Sequence, residues 1–401
     1  MEKSKDKLAL YGGQPIRDSY LPYGRQWIDE ADIKAVVDIL KSDFITTGPT
    51  NFEFEQAIAE YVGAKYAVAF SSGTAALHAA CSVAGVAEND EVITTPITFA
   101  ASANSVLFMG GTPVFADIDP QTYNISPDAI EPLINSKTKV IITVDFTGQP
   151  AEYDAIMTLA DKHGLIVIDD AAHALGASYN GKKIGSIADM TMFSFHPVKH
   201  ITTGEGGIIT TDNKKFYDRL ISFRSHGITR DPSKIKGKTG PWYYEMQDLG
   251  VNYRMTDIQA ALGLSQLKKL PAFLAKRKEY SRKYTKAFEN STEIVTPYQH
   301  HDSSSSWHLY ILRMNGSSLK ADRNEIFRAL QKENVGVNVH YIPVYLHPYY
   351  QQLGYKKGLC PQAESLFKEI ITVPLFPKMT DADVDDVIAA VKKVISYYAI
   401  D

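Results

Sequence analysis

Leu165-Ile166-Val167-Ile168-Asp169-Asp170-Ala171-Ala172-His173 opens with an apolar run of strand length and ends it on two adjacent carboxylates. The helical stretch Tyr153–His163 precedes it, and a second apolar run, Met190–Phe195, follows. Working outward, runs of the same kind recur at Tyr66–Phe70, Glu91–Thr95, Pro113–Ile118, Val140–Phe146 and Gly207–Thr211, with helical stretches such as Thr74–Ala84 and Ala100–Met109 between them. Seven continuous apolar strands alternating with helices predict an α/β fold, a mostly parallel doubly wound sheet buried on both faces. In such sheets ligands sit at the carboxyl ends of the strands.

Asp29 is placed to N-cap a helix carrying Ile33, Val36, Val37 and Leu40, and Gly63 to end a second one carrying Phe54, Ile58 and Tyr61. After Thr256 the texture changes. The helical stretch Asp257–Leu270 stops at Pro271, the Lys/Arg-rich helix Ala272–Glu289 follows, Asp302–Ser306 is a polar turn, and a helix covers Asp383–Tyr398. The expected division is an N-terminal arm (1–28), a large domain (29–256), and a helical connection with a smaller α+β domain (257–401). Residues 229–248 read as a polar loop, either a lid or a surface segment.

Composition narrows the function. Forty-two basic against 46 acidic side chains give a net charge of −4, without the basic surplus of a nucleic-acid binder. No apolar run is long enough to span a membrane, and Met1–Lys7 lacks the apolar stretch of a signal peptide, so a cytoplasmic enzyme is expected. Cys81 and Cys360 read as buried thiols, and no metal-ligand cluster stands out.

Four strand ends carry candidate chemistry. Ser71-Ser72-Gly73-Thr74-Ala75 opens a helix, whose free N–H groups suit an anion; a turn of small residues with no ligand would read the same. Asp169 and Asp170 need solvent or a cationic partner, such as a ring nitrogen. Lys199 follows the strand end Ser194-Phe195-His196-Pro197-Val198 and precedes Thr203-Gly204-Glu205-Gly206-Gly207. It is either a surface lysine or an amine whose burial suits carbonyl chemistry. Phe99 is a core residue or a stacking platform for a flat ring. A phosphate cradle, an aspartate, a lysine and an aromatic on one sheet edge resemble a pyridoxal-phosphate site.

As a set, these motifs, together with Asp169-Asp170-Ala171-Ala172-His173-Ala174-Leu175-Gly176-Ala177 and Asn252-Tyr253-Arg254-Met255, resemble the DegT/DnrJ/EryC1/StrS family of sugar aminotransferases over nearly the whole chain. The resemblance implies the fold-type I architecture of pyridoxal-phosphate-dependent transferases. It implies Lys199 as the Schiff-base and catalytic lysine and Asp170 as the partner of the pyridinium nitrogen. Phe99 then stacks on the ring, and Gly73, Thr74, Ala75 and Ser194 hold the phosphate. Asn252 reaches the phosphate from the other subunit of a homodimer. Tyr23, Thr46, His340 and Tyr341 match positions that contact the sugar nucleotide.

His173 stands where many members have Gln, against the cofactor's 3-oxygen, and can donate the same hydrogen bond. With Phe195-His196-Pro197 it resembles the branch that makes UDP-4-amino-4,6-dideoxy-N-acetyl-β-L-altrosamine for pseudaminic acid. The implied reaction is ping-pong, with glutamate as amino donor and a UDP-linked 4-keto sugar as acceptor. Arg25 and Arg224 are candidate diphosphate partners or surface ion pairs, and Trp242–Tyr244 a candidate substrate wall. Other UDP-, dTDP- or GDP-linked 4-keto sugars, and a non-catalytic binding protein on the same fold, are the rival readings.

Overall fold

The computed structural model describes residues 7–237 and 240–400. The charged start Met1–Asp6, read above as lacking a signal peptide, lies outside the described residues.

The large sheet has seven strands: β1 Tyr66–Phe70, β2 Glu91–Thr94, β3 Thr112–Phe115, β4 Thr138–Val144, β5 Ile166–Asp170, β6 Met190–Ser194 and β7 Gly207–Thr211. Their spatial order is β1-β7-β6-β5-β4-β2-β3. β7 runs antiparallel to both β1 and β6, and the other neighbouring pairs are parallel. The expected mostly parallel α/β sheet is therefore present. Both faces are buried because successive side chains point to opposite sides. Val140 and Ile142 join one core with Val68, Val92, Ile168 and Ile209, while Ile141 joins the other with Ala69, Ile93, Val167 and Phe193.

Helix Gly73–Ala84 follows β1, with Ser72 as N-cap accepting from the Ala75 N–H, so it starts one residue earlier than expected. Asp29 caps helix Glu30–Leu40 through a capping box, and Gly63, at φ 81°, ends helix Pro49–Val62. β5 runs two residues past its expected end. Asp169 and Asp170 stay in the ladder, opposite Thr143 and Val144 on one side and Thr191 and Met192 on the other. Pro271 does not stop a helix. The break falls at Lys268–Lys269, and Pro271 sits in the first turn of helix Leu270–Phe288, where a missing N–H costs nothing.

A three-stranded sheet (Ile294–Val295, Tyr310–Met314, Ile370–Val373) and helices Arg323–Lys332 and Asp381–Tyr398 enclose a separate core, which also buries Leu8 and Leu21 near the N-terminus. Leu21 bridges Val335, and the Tyr23 carbonyl accepts from the Leu375 N–H, so the early chain lies along this C-terminal layer. Within 229–248 the chain makes a short hairpin rather than an unstructured loop, Ile228–Thr229 pairing antiparallel with Glu245–Met246. The turn Asp302–Ser306 contains the strand Ser303–Ser304, paired with Ser178–Tyr179. Among the described residues no helix is long and apolar enough to cross a membrane. Cys81 and Cys360 are both buried and free.

Candidate active site

The strand ends of the large sheet and the C-terminal layer enclose a cavity of about 700 Å3. Ten of the residues singled out in the sequence line it: Tyr23, Gly73, Thr74, Phe99, Asp170, His173, Ser194, Lys199, His340 and Tyr341. Ala75 lies just behind, its N–H held by Ser72 Oγ at 3.1 Å. Thr46 and Asn252 are exposed and away from this lining, bridged to Thr256 and Ser225 respectively. The cavity wall also omits Trp242 and Tyr244, which stand exposed on the hairpin.

Arg224 is not a free cation for a diphosphate. It is an internal ion pair, its guanidinium donating to Glu55 and, at 2.7 Å, to the Ala69 carbonyl. Arg25 lines a separate water-sized pocket behind Lys199, with Trp27 and His200.

The floor of the cavity is electrostatic. Asp170 is 4% exposed, and its two oxygens accept from Ser102 Oγ at 2.6 Å and the Ala172 N–H at 3.2 Å. Burial raises its carboxyl above the ordinary value, opposed by those donors and by Lys199. Lys199 is half-buried. The low-dielectric wall draws its ammonium down to about 8, the Asp170 charge resisting and the Arg277 charge reinforcing the shift. Asp169 points away from the cavity toward Thr143 Oγ1, 3.3 Å distant. Burial and the neighbouring Asp145 hold its carboxyl well above the usual range.

One wall is a nest for an anion. Ser72 Oγ occupies the Ala75 N–H, leaving the Gly73 and Thr74 N–H groups of the helix start to a ligand. A Cβ at Gly73 would stand 3.2 Å from Ser194 Cβ, and one at Gly207 would press to 2.5 Å on the Ser72 carbonyl. Both glycines keep this turn open and close to β6 and β7.

The opposite wall is aromatic. Phe99 is 63% exposed and lines the cavity. Tyr341 OH lies 3.2 Å from His173 Nε2, and His340 Nδ1 2.8 Å from Thr372 Oγ1. The rings of Tyr23 and His340 stand 5.4 Å apart. Burial drives His340 down to about 3 and His173 well below the ordinary imidazole value, so both are neutral. His173 Nδ1 is buried without a partner.

Several contributors are absent from the sequence reading. Ser102 orients Asp170. His308 packs its ring 4.3 Å from that of His173, and His200 stands 5.4 Å from His308. Arg277 is 1% exposed and donates to the carbonyls of Trp307, His308 and Leu375. None of these lies in a strand-end motif; only Arg277 falls in a stretch noted for its charge.

Comparison with known proteins agrees with this arrangement. The DegT/DnrJ/EryC1/StrS aminotransferase family matches residues 26–392. The chain belongs to this family. Its architecture is accordingly the fold-type I one expected. The spore coat polysaccharide biosynthesis protein SpsC of Bacillus subtilis is 42% identical over 94% of this chain and 98% of that protein. Helicobacter pylori PseC, an aminotransferase involved in the biosynthesis of pseudaminic acid, superposes with a TM-score of 0.88 at 35% identity, covering 95% of this chain and 100% of that one. The Streptococcus pneumoniae sugar aminotransferase Spr1654, solved in PLP and PMP forms, gives a TM-score of 0.88 at 36% identity over 94% and 99% of the two chains.

Proposed function

We propose that this aminotransferase uses pyridoxal phosphate to move the amino group of glutamate to C4 of a UDP-linked 2-acetamido-4-keto-6-deoxy sugar. The product is then UDP-4-amino-4,6-dideoxy-N-acetyl-β-L-altrosamine, on the route to pseudaminic acid. The observation that carries the reading is the convergence of Lys199, Asp170 and the Gly73–Thr74 helix start on one cavity.

The donor set fits the cofactor. The helix start offers N–H groups to its phosphate. Buried Asp170 offers a carboxylate to its ring nitrogen, and exposed Phe99 a face to its ring. His173 Nδ1 is a buried orphan, which costs about 1–3 kcal/mol unless a ligand satisfies it. The family resemblance sets His173 against the cofactor's 3-oxygen, to which its neutral imidazole would donate one hydrogen bond. When bound, pyridoxal phosphate supplies an aldehyde that captures amines and a ring that accepts electrons from the carbon being deprotonated.

The chain's own work is binding and proton transfer. With its ammonium drawn down to about 8, Lys199 holds a larger share of free amine at neutral pH than an ordinary lysine. It takes the α-proton of glutamate and returns a proton to sugar C4, a role worth about 10²–10⁴-fold. Tyr23, His340 and Tyr341 wall the sugar side. Asn252 and Thr46, exposed on their own chain, serve the partner's cavity in a homodimer. Ile33, Val37, Leu40, Phe44, Ile45 and Phe52, exposed around Thr46, support that interface.

The test is kcat/KM for the UDP-acetamido ketosugar against dTDP- and GDP-linked 4-keto-6-deoxy sugars, with identification of each product. A site that hydrogen-bonds the acetamido group should prefer the first by at least about 100-fold. Preference for either of the others would overturn the sugar assignment and leave amino transfer standing.

A further inference from the structure

Away from the cavity, three consecutive residues turn donor atoms toward one point. His300 Nδ1 and His301 Nε2 stand 3.6 and 3.3 Å from the same oxygen, Asp302 Oδ2. One donor atom from each of the three lies within 4.8 Å of the others. The two imidazole rings stack, with centroids 4.5 Å apart.

Neither imidazole–carboxylate distance is that of a strong hydrogen bond, and the Asp302 N–H reaches His300 Nδ1 only at 3.4 Å, a weak contact that an ion would displace. A charge-assisted N–H···O bond closes to about 2.7–2.9 Å. For metal–ligand bonds of about 2.0–2.2 Å, the edge of a tetrahedron is about 3.3–3.6 Å, the spacing found between each imidazole and the carboxylate.

The backbone that carries the donors is fixed from two sides. The His300 N–H donates to Gln149 Oε1 at 2.9 Å, and the Asp302 carbonyl accepts from the Asn180 N–H at 2.8 Å. Ser303–Ser304 then pairs with Ser178–Tyr179. The side chains face outward instead, the His301 ring 80% exposed, which leaves coordination positions to water. Two imidazoles with one carboxylate suit Zn2+, Co2+ or Ni2+; Mg2+ and Ca2+ take oxygen ligands.

We propose that His300, His301 and Asp302 form a divalent transition-metal site on the surface, completed by water. The same segment leads to Ser306, whose hydroxyl donates at 2.8 Å to the His173 carbonyl. The site stands independently of the substrate proposed above.

The experiment is a calorimetric titration of untagged, cofactor-loaded, metal-stripped protein with Zn2+ and, separately, Mg2+. One Zn2+ per chain should bind more tightly than about 1 mM, with no saturable heat from Mg2+. His301→Ala, at an exposed position, and Asp302→Asn, at a half-buried one, should each weaken Zn2+ by about tenfold or more while leaving the far-UV spectrum unchanged. Zn2+ should also raise the thermal midpoint of the parent and not of the double variant. Absence of saturable Zn2+ binding, or an affinity unchanged in both variants, would overturn the site.

Discussion

Replacing Asp170 with Asn, beside Asp169 with Asn as its control, separates two adjacent carboxylates that the chain treats differently. Asp170→Asn preserves shape and one acceptor for Ser102 or Ala172, and removes the carboxylate proposed above to face the cofactor's ring nitrogen. Removing one member of a buried ion pair costs about 3–5 kcal/mol. If that loss falls on the transition state, kcat drops by about 150- to 5000-fold. Asp169 is also buried, but its carboxyl is held well above the ordinary range by burial and by Asp145. That shift favours its protonated form, so Asp169→Asn removes less charge than Asp170→Asn does. Its kcat should fall by less than about tenfold, an effect of hydrogen bonding alone.

A second readout does not involve turnover. The Asp170 carboxylate holds the Lys199 ammonium up against burial, leaving it at about 8. Without that charge the Lys199 value should fall further. The assay is the pH dependence of acylation of Lys199 in the apoprotein, alongside kcat at saturating cofactor and substrates. Equal, small losses in the two variants would refute the assignment. So would a Lys199 inflection that stays in place or rises in Asp170→Asn.

Lys199→Ala should fold and retain pyridoxamine phosphate but not turn over; borohydride reduction and peptide mapping of the parent protein should find the cofactor on Lys199 and on no other lysine. Mixing inactive Lys199→Ala chains with impaired Asn252→Ala chains should restore wild-type sites in heterodimers, and no recovery after confirmed subunit exchange would mean that Asn252 acts within its own chain. Asp145 has one oxygen without a partner, and burial pushes its carboxyl up from 3.8 to about 7. A raised folded-state value means that its stabilising contribution is complete below pH 3.8 and is lost as pH rises through about 7. Asp145→Asn should remove that decline, read as urea midpoints at several pH values between these limits.

Strand positions were legible because each strand is buried on both faces and so is largely apolar, as in Val140–Ile142. Strand ends were less so. The reading stopped β5 at Ile168 because two carboxylates look like solvent-facing residues, yet both remain in the ladder. Asp170 tolerates that burial because Ser102 and Ala172 donate to it; at Asp169 burial and Asp145 raise the carboxyl, which favours the neutral form. Ser102, Thr143 and Asp145 come from other elements, so local polarity gave the wrong end. Arg224 failed in the opposite direction. An arginine near a candidate site invites a diphosphate, but its charge is already consumed by Glu55 from another element.

The same distinction explains which parts of the site could be read at all. Lys199, Ser194 and the Gly73 turn sit at strand ends, where backbone geometry alone brings side chains together, so their grouping follows from topology. The state of Lys199 does not. It depends on Asp170 at the end of the neighbouring strand, and on Arg277, a fully buried cation on a helix beyond the sheet that is anchored only by carbonyls. Arg277 and the low-dielectric wall press Lys199 toward its free amine, and Asp170 alone resists. Three imidazoles packed in the same region, His173, His200 and His308, are all driven well below their ordinary value, so they add bulk and hydrogen-bonding atoms without adding charge. The proton transfers proposed for Lys199 need that near balance. It is set by distances between elements far apart in the chain, whereas the motif that announces the lysine records only where it stands.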